Sequence, residues 1–240
     1  MSEFALVNRS GGRVADVDIQ KVVAALSMQL VKFCAAWGFV VPTVAFYPAG
    51  TTPPATSWVV AFVDQPTVKG AEAFHTVEAG QPDGYVFAGY LIDNGSRVLD
   101  GPNSVASAAS HEVLELLRDP ACTLWVEMPV MGPDGKQYAR VAAEACDPVQ
   151  GGVDEYDVDG EKVTLSAWVT PSWEDPQDVV GPWSSDGSAQ HAGHVVAGGY
   201  AVFESADGTA AQVMAKDCPA HIVALKATNG RAARRVAAST

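Results

Sequence analysis

The stretch from Ser104 to Pro120, SVASAASHEVLELLRDP, decides how the middle of this chain folds. Its apolar residues cover most of a helical surface, which is typical of a helix that is largely buried. Asn103 or Ser104 can cap the start of such a helix. Pro120 disfavours helical geometry at the residue before it. The sequence therefore predicts a buried helix from Ser104 to Arg118.

This predicted helix carries the motif HExxE at His111, Glu112 and Glu115. A spacing of four residues stacks His111 and Glu115 on one helical face, while Glu112 projects from the neighbouring face. In HExxH zinc peptidases two such side chains bind the metal, and the intervening glutamate activates water. Carboxylates without partners are costly in an apolar setting, so a buried helix with these groups favours a bound metal.

A plainer interpretation of the same motif stays open. The three side chains would form a solvated helix face, with Arg118 as a salt-bridge partner three residues from Glu115.

Composition and charge limit the classes of protein to consider. The chain has 240 residues, of which 48% are hydrophobic and 18% charged, as expected of a globular protein. Its net charge of −13 argues against binding to nucleic acid or to an anionic membrane. No signal peptide and no uninterrupted membrane-spanning run is predicted. The expected location is the cytoplasm or a virion or similar particle.

The cysteines predict thiols rather than a cysteine-based zinc site. Their positions are far apart and contain no CxxC pair: Cys34, Cys122, Cys146 and Cys218. Cys122 and Cys146 flank the motif region and can meet in space, but free thiols are the expected state.

The remaining sequence predicts an α+β protein. An N-terminal helix is expected from Asp16, its cap, to Trp37, with Gly38 ending it. Strands are expected before and after the motif helix, and residues 138–145 fit a helix equally well. The predicted strands are Val40–Tyr47, Ser57–Asp64, Tyr85–Ile92, Leu124–Met131, Gln137–Ala143, Glu155–Val158, Lys162–Ala167, Val195–Glu204 and Ala211–Ala215.

Four regions are predicted along the chain. Residues 1–173 would form a metal-binding domain, 174–194 a linker rich in Pro, Trp and Ser, 195–230 a small β-rich appendage, and 231–240 a loose tail.

The order of helix, strands and HExx-helix resembles that of the zincin metallopeptidases, in which the edge strand of a mixed sheet precedes the active-site helix. More narrowly, the boxes at 110–120, 144–148 and 171–173 resemble an uncharacterised bacterial and phage family of metallopeptidase-like proteins. The resemblance covers residues 19–173. It implies a zincin-like mixed sheet, a zinc-type site and a peptide or protein substrate.

The resemblance also suggests a third metal ligand. In gluzincins a downstream glutamate supplies it, and Glu144 is the best match by position, with Asp147 behind it. Metzincins use the tenth residue after the first histidine, which is Ala121 here and cannot coordinate a metal. Asp119 is a further alternative, although a residue before proline is more typical of a turn.

Two more residues are weaker candidates for the site. His75 precedes the strand that leads to the motif, and it would be a ligand or donor in the cleft, or else a core or surface histidine. Tyr156 would donate to an oxyanion if it lies close enough.

The functional hypothesis is a metal-dependent peptidase in which Glu112 activates water. Its metal would be one divalent ion, zinc first, with Mn²⁺ or Ca²⁺ favoured by additional oxygen ligands. An extended substrate would pair with the strand at Tyr85–Ile92. The alternative is a non-catalytic phage or particle protein that retains the scaffold and assembles with other particle proteins.

Overall fold

A computed structural model describes residues 3–67, 71–78, 80–131 and 136–215, together with the backbone of strand 221–224. Several predictions lie outside these residues. They concern Cys218, the rest of the appendage at 216–220 and 225–230, and the tail at 231–240.

The described part of the chain is a mixed α+β structure, which confirms the predicted class. Its α-helices are α1 (Asp16–Trp37), α2 (Ala88–Asp93) and α3 (Val105–Arg118), and short 3-10 turns cover Asp147–Val149 and Pro171–Glu174. Its strands are β1 (Glu3–Arg9), β2 (Thr43–Tyr47), β3 (Trp58–Val63), β4 (Ala73–Glu78), β5 (Gln81–Phe87), β6 (Trp125–Met131), β7 (Gln137–Ala142), β8 (Val153–Val158), β9 (Glu161–Ser166), β10 (Tyr200–Glu204), β11 (Ala210–Met214) and β12 (His221–Ala224).

A five-stranded sheet, in the order β2-β1-β3-β5-β4, forms the scaffold of the N-terminal half. Its strands are parallel except β4, which runs antiparallel to β5 at the edge. Strands β1 and β4 are not among the strands that the sequence predicts. β1 is a short run that is buried on both faces, and it therefore lacks the alternating pattern that reveals a half-exposed strand.

The strand predicted at Tyr85–Ile92 is only partly correct. β5 ends at Phe87, and the residues from Ala88 onward form α2. Helix α2 packs closely on β3, because Tyr90 N donates to Asp64 O at 2.9 Å. Gly89 has no side chain to obstruct this approach, since a Cβ there would lie only 3.0 Å from the Asp64 carbonyl carbon.

Helix α1 has the predicted bounds, but its capping differs. Gly38 ends it in the left-handed conformation, with φ of 71°. The N-cap is Ala15 rather than Asp16, whose Oδ1 accepts a hydrogen bond from Asn8 Nδ2 at 2.6 Å. By length and composition alone α1 could cross a membrane. Its inward face, however, packs in the hydrophobic core with β1, β3 and α3.

Helix α3 also begins and ends where the sequence predicts. Ser104 is its N-cap, and the Ser104 hydroxyl accepts a hydrogen bond from Ser107 N at 3.0 Å. The helix packs against β4, β5 and β9, so its buried face lies between the sheet and the β8–β9 hairpin. This packing fixes the direction in which the motif side chains point.

The cap of α3 gives a first testable prediction. Replacing Ser104 by Ala should lower the free energy of unfolding by about 1–2 kcal/mol, because a helical N–H and the Thr164 carbonyl lose their partner. Urea unfolding measures the change. Ser27→Ala is the matched control, since the Ser27 hydroxyl donates to the Val23 carbonyl on an exposed helical face. Equal losses in both variants would contradict the capping role.

The second sheet, in the order β12-β11-β10-β7-β6, joins strands from both sides of the predicted linker. The strands assigned to a separate appendage therefore share one sheet with β6 and β7, because β10 pairs with β7. The 174–194 segment is also packed on this unit. Val169 and Ser184 form a β-bridge, and Trp173 Nε1 donates to His194 O at 2.8 Å.

The remaining strands, β8 and β9, overlap the strands predicted at Glu155–Val158 and Lys162–Ala167, and they pair as an antiparallel hairpin. Asp159 and Gly160 make its turn with φ of 54° and 82°, which two-residue hairpin turns require.

Candidate metal centre

The motif side chains on α3 lie inside the protein. Glu112 is 3% exposed and Glu115 is fully buried, so the solvated-face interpretation is wrong. Arg118 does not pair with the motif as that interpretation required. Its Nη2 lies 2.7 Å from Glu174 Oε2 instead.

His111 and Glu115 converge on a third residue, Asp147. His111 Nε2 lies 3.2 Å from Glu115 Oε1 and 3.1 Å from Asp147 Oδ1. Asp147 begins the 3-10 turn after β7 and is itself buried. Two donors that share one zinc ion lie about 3–4 Å apart, since each is about 2 Å from the ion. The distances from His111 Nε2 to both carboxylates therefore lie within the range expected for two ligands of one zinc ion.

Glu115 also fixes the segment that carries Asp147. Its Oε1 accepts hydrogen bonds from Cys146 N and Asp147 N, both at 3.3 Å. Glu115 thus links α3 to residues 146–147 through the backbone as well as through His111.

His75, on the edge strand β4, reaches the same helix. Its Nδ1 lies 2.9 Å from Glu112 Oε2 and 3.7 Å from Glu115 Oε2. The imidazole is fully buried. The sequence left open whether His75 is a ligand or donor in the cleft, or a core or surface histidine. It is buried like a core histidine, and its contacts with Glu112 and Glu115 place it in the candidate site.

Glu144 lies on the other side of His75. Donor atoms of His75, Cys122 and Glu144 all lie within 4.8 Å of one another. Donor atoms of His111, Glu115 and Cys146 likewise all lie within 4.8 Å of one another. The structure therefore places Glu144 beside His75, and it places Asp147, the alternative third ligand, beside His111.

Both imidazoles are shifted toward their protonated forms. Burial by itself lowers the pKa of His111, but the charges of Glu115 and Asp147 more than offset it, and the pKa lies well above its usual value. Burial likewise lowers the pKa of His75, and interactions with Cys122, Glu112 and Glu144 raise it well above its usual value. For Cys146, burial first and then the nearby carboxylates raise the pKa strongly and favour the thiol.

The charge of these residues fits a cation. Four buried acidic side chains, from Glu112, Glu115, Glu144 and Asp147, surround two imidazoles. When all four are ionised, even two protonated imidazoles leave an excess of two negative charges within this set. Concentrated negative charge in a buried setting is unfavourable without a compensating cation. The donor types, imidazole nitrogen and carboxylate oxygen, are those of Zn²⁺ and Mn²⁺ sites.

The other predicted candidates have different surroundings. Asp119 is the C-cap residue of α3, and its carboxylate accepts hydrogen bonds from Thr123 N and Leu124 N at 3.0 and 2.9 Å. This agrees with its alternative role as a turn residue. Tyr156 packs beside α1, where Lys32 Nζ lies 4.8 Å from the centre of its ring.

Sequence reasoning did not assign Cys122, Cys146 or Glu72 to the site. The two cysteines were considered only as thiols near the motif, and the structure describes them as buried and not disulfide-bonded. Glu72, just before β4, is exposed overall. Partial burial of its carboxyl group raises the pKa of Glu72, and the charge of the nearby His111 lowers it. No local sequence pattern connects Glu72 with His111, because only the packing of α3 against β4 brings them together.

Gly199 supports the turn that carries Asp147. A Cβ at position 199 would lie 2.8 Å from the Pro148 carbonyl carbon and 3.0 Å from Asp147 O. The same turn is held by Val196 N, which donates to Pro148 O at 2.9 Å. The start of β10 can therefore pack directly on the backbone of the candidate site.

Comparisons of the chain with protein-family models, with curated proteins and with solved structures found no significant match. The function therefore has to be inferred from the geometry of the chain itself.

Proposed function

We propose that this protein is a metal-dependent hydrolase with a peptide or protein substrate. One observation carries the proposal. A single turn of the buried helix α3 directs His111 and Glu115 toward Asp147, and Glu112 of the same turn has a carboxylate oxygen within 4.8 Å of one from Glu115. The site thus combines a set of metal-binding donors with a potential base, which are the two components that metal-assisted hydrolysis needs.

The proposed ligands are His111, Glu115 and Asp147. Cys146 is the competing third ligand, since its thiol lies within reach of His111 and Glu115. Asp147 is preferred because its carboxylate directly contacts His111, whereas burial favours the protonated thiol of Cys146. A metal ion would take the place of the proton on His111.

A divalent ion held by these ligands would lower the pKa of a water molecule and polarise the scissile carbonyl group. Glu112 would accept a proton from the attacking water and pass it to the leaving amine. His75 Nδ1 contacts Glu112 and would hold this carboxylate in position. His111, whose side chain is 13% exposed, marks the side from which the substrate reaches the buried groups.

The edge strand β4 is the proposed docking strand for an extended substrate. The predicted docking strand at Tyr85–Ile92 cannot serve, because β5 pairs with β3 on one side and with β4 on the other. β4 ends the sheet and carries His75 on its inner face. A peptide that adds to its outer edge would extend the sheet by main-chain hydrogen bonds.

The arrangement of the sheet is consistent with a zincin-like fold, which we include in the proposal. An antiparallel edge strand precedes the helix with the HExxE motif, as the resemblance implies. The helix also packs against that edge strand. Fold resemblance does not establish chemistry, so the test concerns the site.

Metal reconstitution tests the proposal. Protein stripped with a chelator should not cleave an unfolded protein substrate such as casein, and Zn²⁺ or Mn²⁺ should restore the release of peptides. Asp147→Ala should weaken metal binding by more than about 100-fold, because losing a ligand costs more than losing one of its outer partners. Calorimetric titration and the peptide-release assay measure the two effects.

The control is Asp157→Ala, which changes an exposed residue of the same type near the end of β8. It should bind metal and cleave casein as the parent protein does. Unchanged metal binding in Asp147→Ala, with a loss in Cys146→Ser, would make the cysteine the third ligand. Full casein cleavage by stripped protein would contradict metal-dependent hydrolysis.

A non-catalytic scaffold is the second candidate function. Glu115 bonds the backbone of residues 146–147 and Glu112 bonds His75, so both acids also have structural contacts. Under this hypothesis the protein would bind metal, cleave nothing, and assemble with particle proteins. Stable metal binding without any hydrolysis would favour it.

A further inference from the structure

A second group of possible metal ligands lies deeper in the protein than His111. It consists of His75 on β4, Cys122 in the turn after α3, and Glu144 between β7 and the 3-10 turn. Their donor atoms lie within 4.8 Å of one another, and all three residues are buried. Three separate segments of the chain therefore meet at one point with nitrogen, sulfur and oxygen donors.

The imidazole of His75 is arranged as in a metal-binding histidine. Nδ1 lies 2.9 Å from Glu112 Oε2 and can donate its hydrogen to that oxygen. Nε2 is buried and has no hydrogen-bond partner among the described residues. Metal-binding histidines characteristically donate one ring N–H to a carboxylate and bind the metal through the other nitrogen. When the protonated imidazole gives up its Nε2 proton to a metal, the hydrogen bond to Glu112 keeps the other proton on Nδ1.

The turn that presents Cys122 is held in an unusual conformation. Cys122 has φ of 50°, which is uncommon for a residue with a side chain. The carboxylate of Asp119 fixes this turn by accepting hydrogen bonds from Thr123 N and Leu124 N. Backbone strain of this kind persists where surrounding contacts hold it, often at functional sites. In this turn the Cys122 thiol faces β4. Its Sγ donates a hydrogen bond to the His75 carbonyl oxygen at 3.6 Å.

We propose that His75 Nε2, Cys122 Sγ and Glu144 bind a structural zinc ion, separate from the metal held by His111. Zinc is the divalent ion that accepts histidine, cysteine and carboxylate ligands together. A thiolate ligand disfavours Ca²⁺ and Mn²⁺, which prefer oxygen. On binding, the Cys122 thiol and the Nε2–H of protonated His75 each release a proton to solvent, and the thiolate and Nε2 bond to the ion.

The position of this ion defines its role. Its ligands tie the edge strand β4 to the turn after α3 and to the segment that leads to Asp147. Structural zinc sites contribute directly to folding, because the unfolded chain does not hold the ligands together. The zinc would therefore hold β4 and the 144–147 segment in place beside α3.

Zinc stoichiometry and cobalt spectroscopy test the proposal on the full-length protein. The parent should bind a second equivalent of zinc that Cys122→Ser lacks. Cobalt-substituted parent protein should show thiolate-to-cobalt charge-transfer absorption, and Cys122→Ser should lose it. Zinc should also raise the melting temperature of the parent more than that of the variant.

Cys34→Ser is the matched control, and Cys146→Ser distinguishes this site from the His111 group. Cys34 is a buried thiol on α1 near the Val40 carbonyl, and Cys146 adjoins the His111 group. Both variants should keep the zinc equivalent assigned to Cys122 and the cobalt–thiolate absorption. If Cys122→Ser retains both signals, or if Cys146→Ser alone removes them, the proposal is wrong.

Two further measurements do not depend on the folding of Cys122→Ser. Glu144→Gln keeps the size of the side chain and should also lose one zinc equivalent. X-ray absorption of zinc-loaded Cys146→Ser should show a sulfur neighbour at about 2.3 Å, and only nitrogen and oxygen neighbours would overturn the proposal. These results are independent of hydrolysis, so a protein that cleaves nothing can still contain this zinc site.

Discussion

Glu112→Gln should bind metal as the parent protein does and lose nearly all hydrolysis of casein. The glutamine keeps the size of the side chain, and its amide oxygen can still accept the hydrogen bond from His75 Nδ1. It cannot accept a proton from water. Removing a positioned general base reduces the rate by about 10²- to 10⁴-fold. Peptide release, with metal content measured on the same samples, checks both parts of this expectation.

Glu127→Gln is the matched control, because Glu127 is an exposed acid on β6. It should change neither metal content nor the rate of casein cleavage. If Glu112→Gln cleaves casein as fast as the parent, Glu112 is not the base. If the variant loses metal as well as activity, Glu112 acts at least partly by organising the metal centre.

Glu115→Ala should produce the largest loss of stability, about 3–5 kcal/mol in the free energy of unfolding of the metal-free protein. The substitution removes the acceptor for Cys146 N and Asp147 N and leaves the buried His111 with one carboxylate partner fewer. It also leaves a cavity in a fully buried position. Urea unfolding in the presence of a chelator measures the change without a contribution from bound metal.

Glu155→Ala serves as the control for this prediction. Glu155 makes an exposed salt bridge with Lys162 at 3.0 Å, and surface pairs of this kind contribute little to stability because solvent screens them. A Glu115→Ala protein as stable as the parent would show that repulsion among the buried carboxylates outweighs the contacts of Glu115. In that case the cluster would be a strained site that depends on its metal for stability.

The two proposed metal sites connect through α3. Glu115 contacts His111 through one oxygen and lies 3.7 Å from His75 through the other. Glu112 contacts His75, and it has a carboxylate oxygen within 4.8 Å of one from Glu115. A structural zinc ion at His75 would hold the hydrogen bond to Glu112 and so help to orient the proposed base. This relation gives a physical reason for the two buried acids, Glu112 and Glu115, on one helical turn.

The sequence by itself determined the features that depend on local geometry. The bounds of α1 and α3, the Ser104 cap and the turn at Asp159–Gly160 follow from residues a few positions apart. The placement of His111 and Glu115 on one face is also local, since four residues make about one helical turn. Capping, periodicity and turn preferences act over such short distances and can be read directly from the chain.

Only the tertiary structure decided which distant residues meet these two side chains. His111 contacts Asp147 across 36 positions, and His75 contacts Glu112 across 37. The strands β1 and β4 were not recognised, because burial on both faces or placement at an edge is a property of the assembled sheet. The packing of α3 between sheet and hairpin thus selected Asp147 for one imidazole and Glu144 and Cys122 for the other, since contacts between distant segments are fixed by packing and not by local sequence.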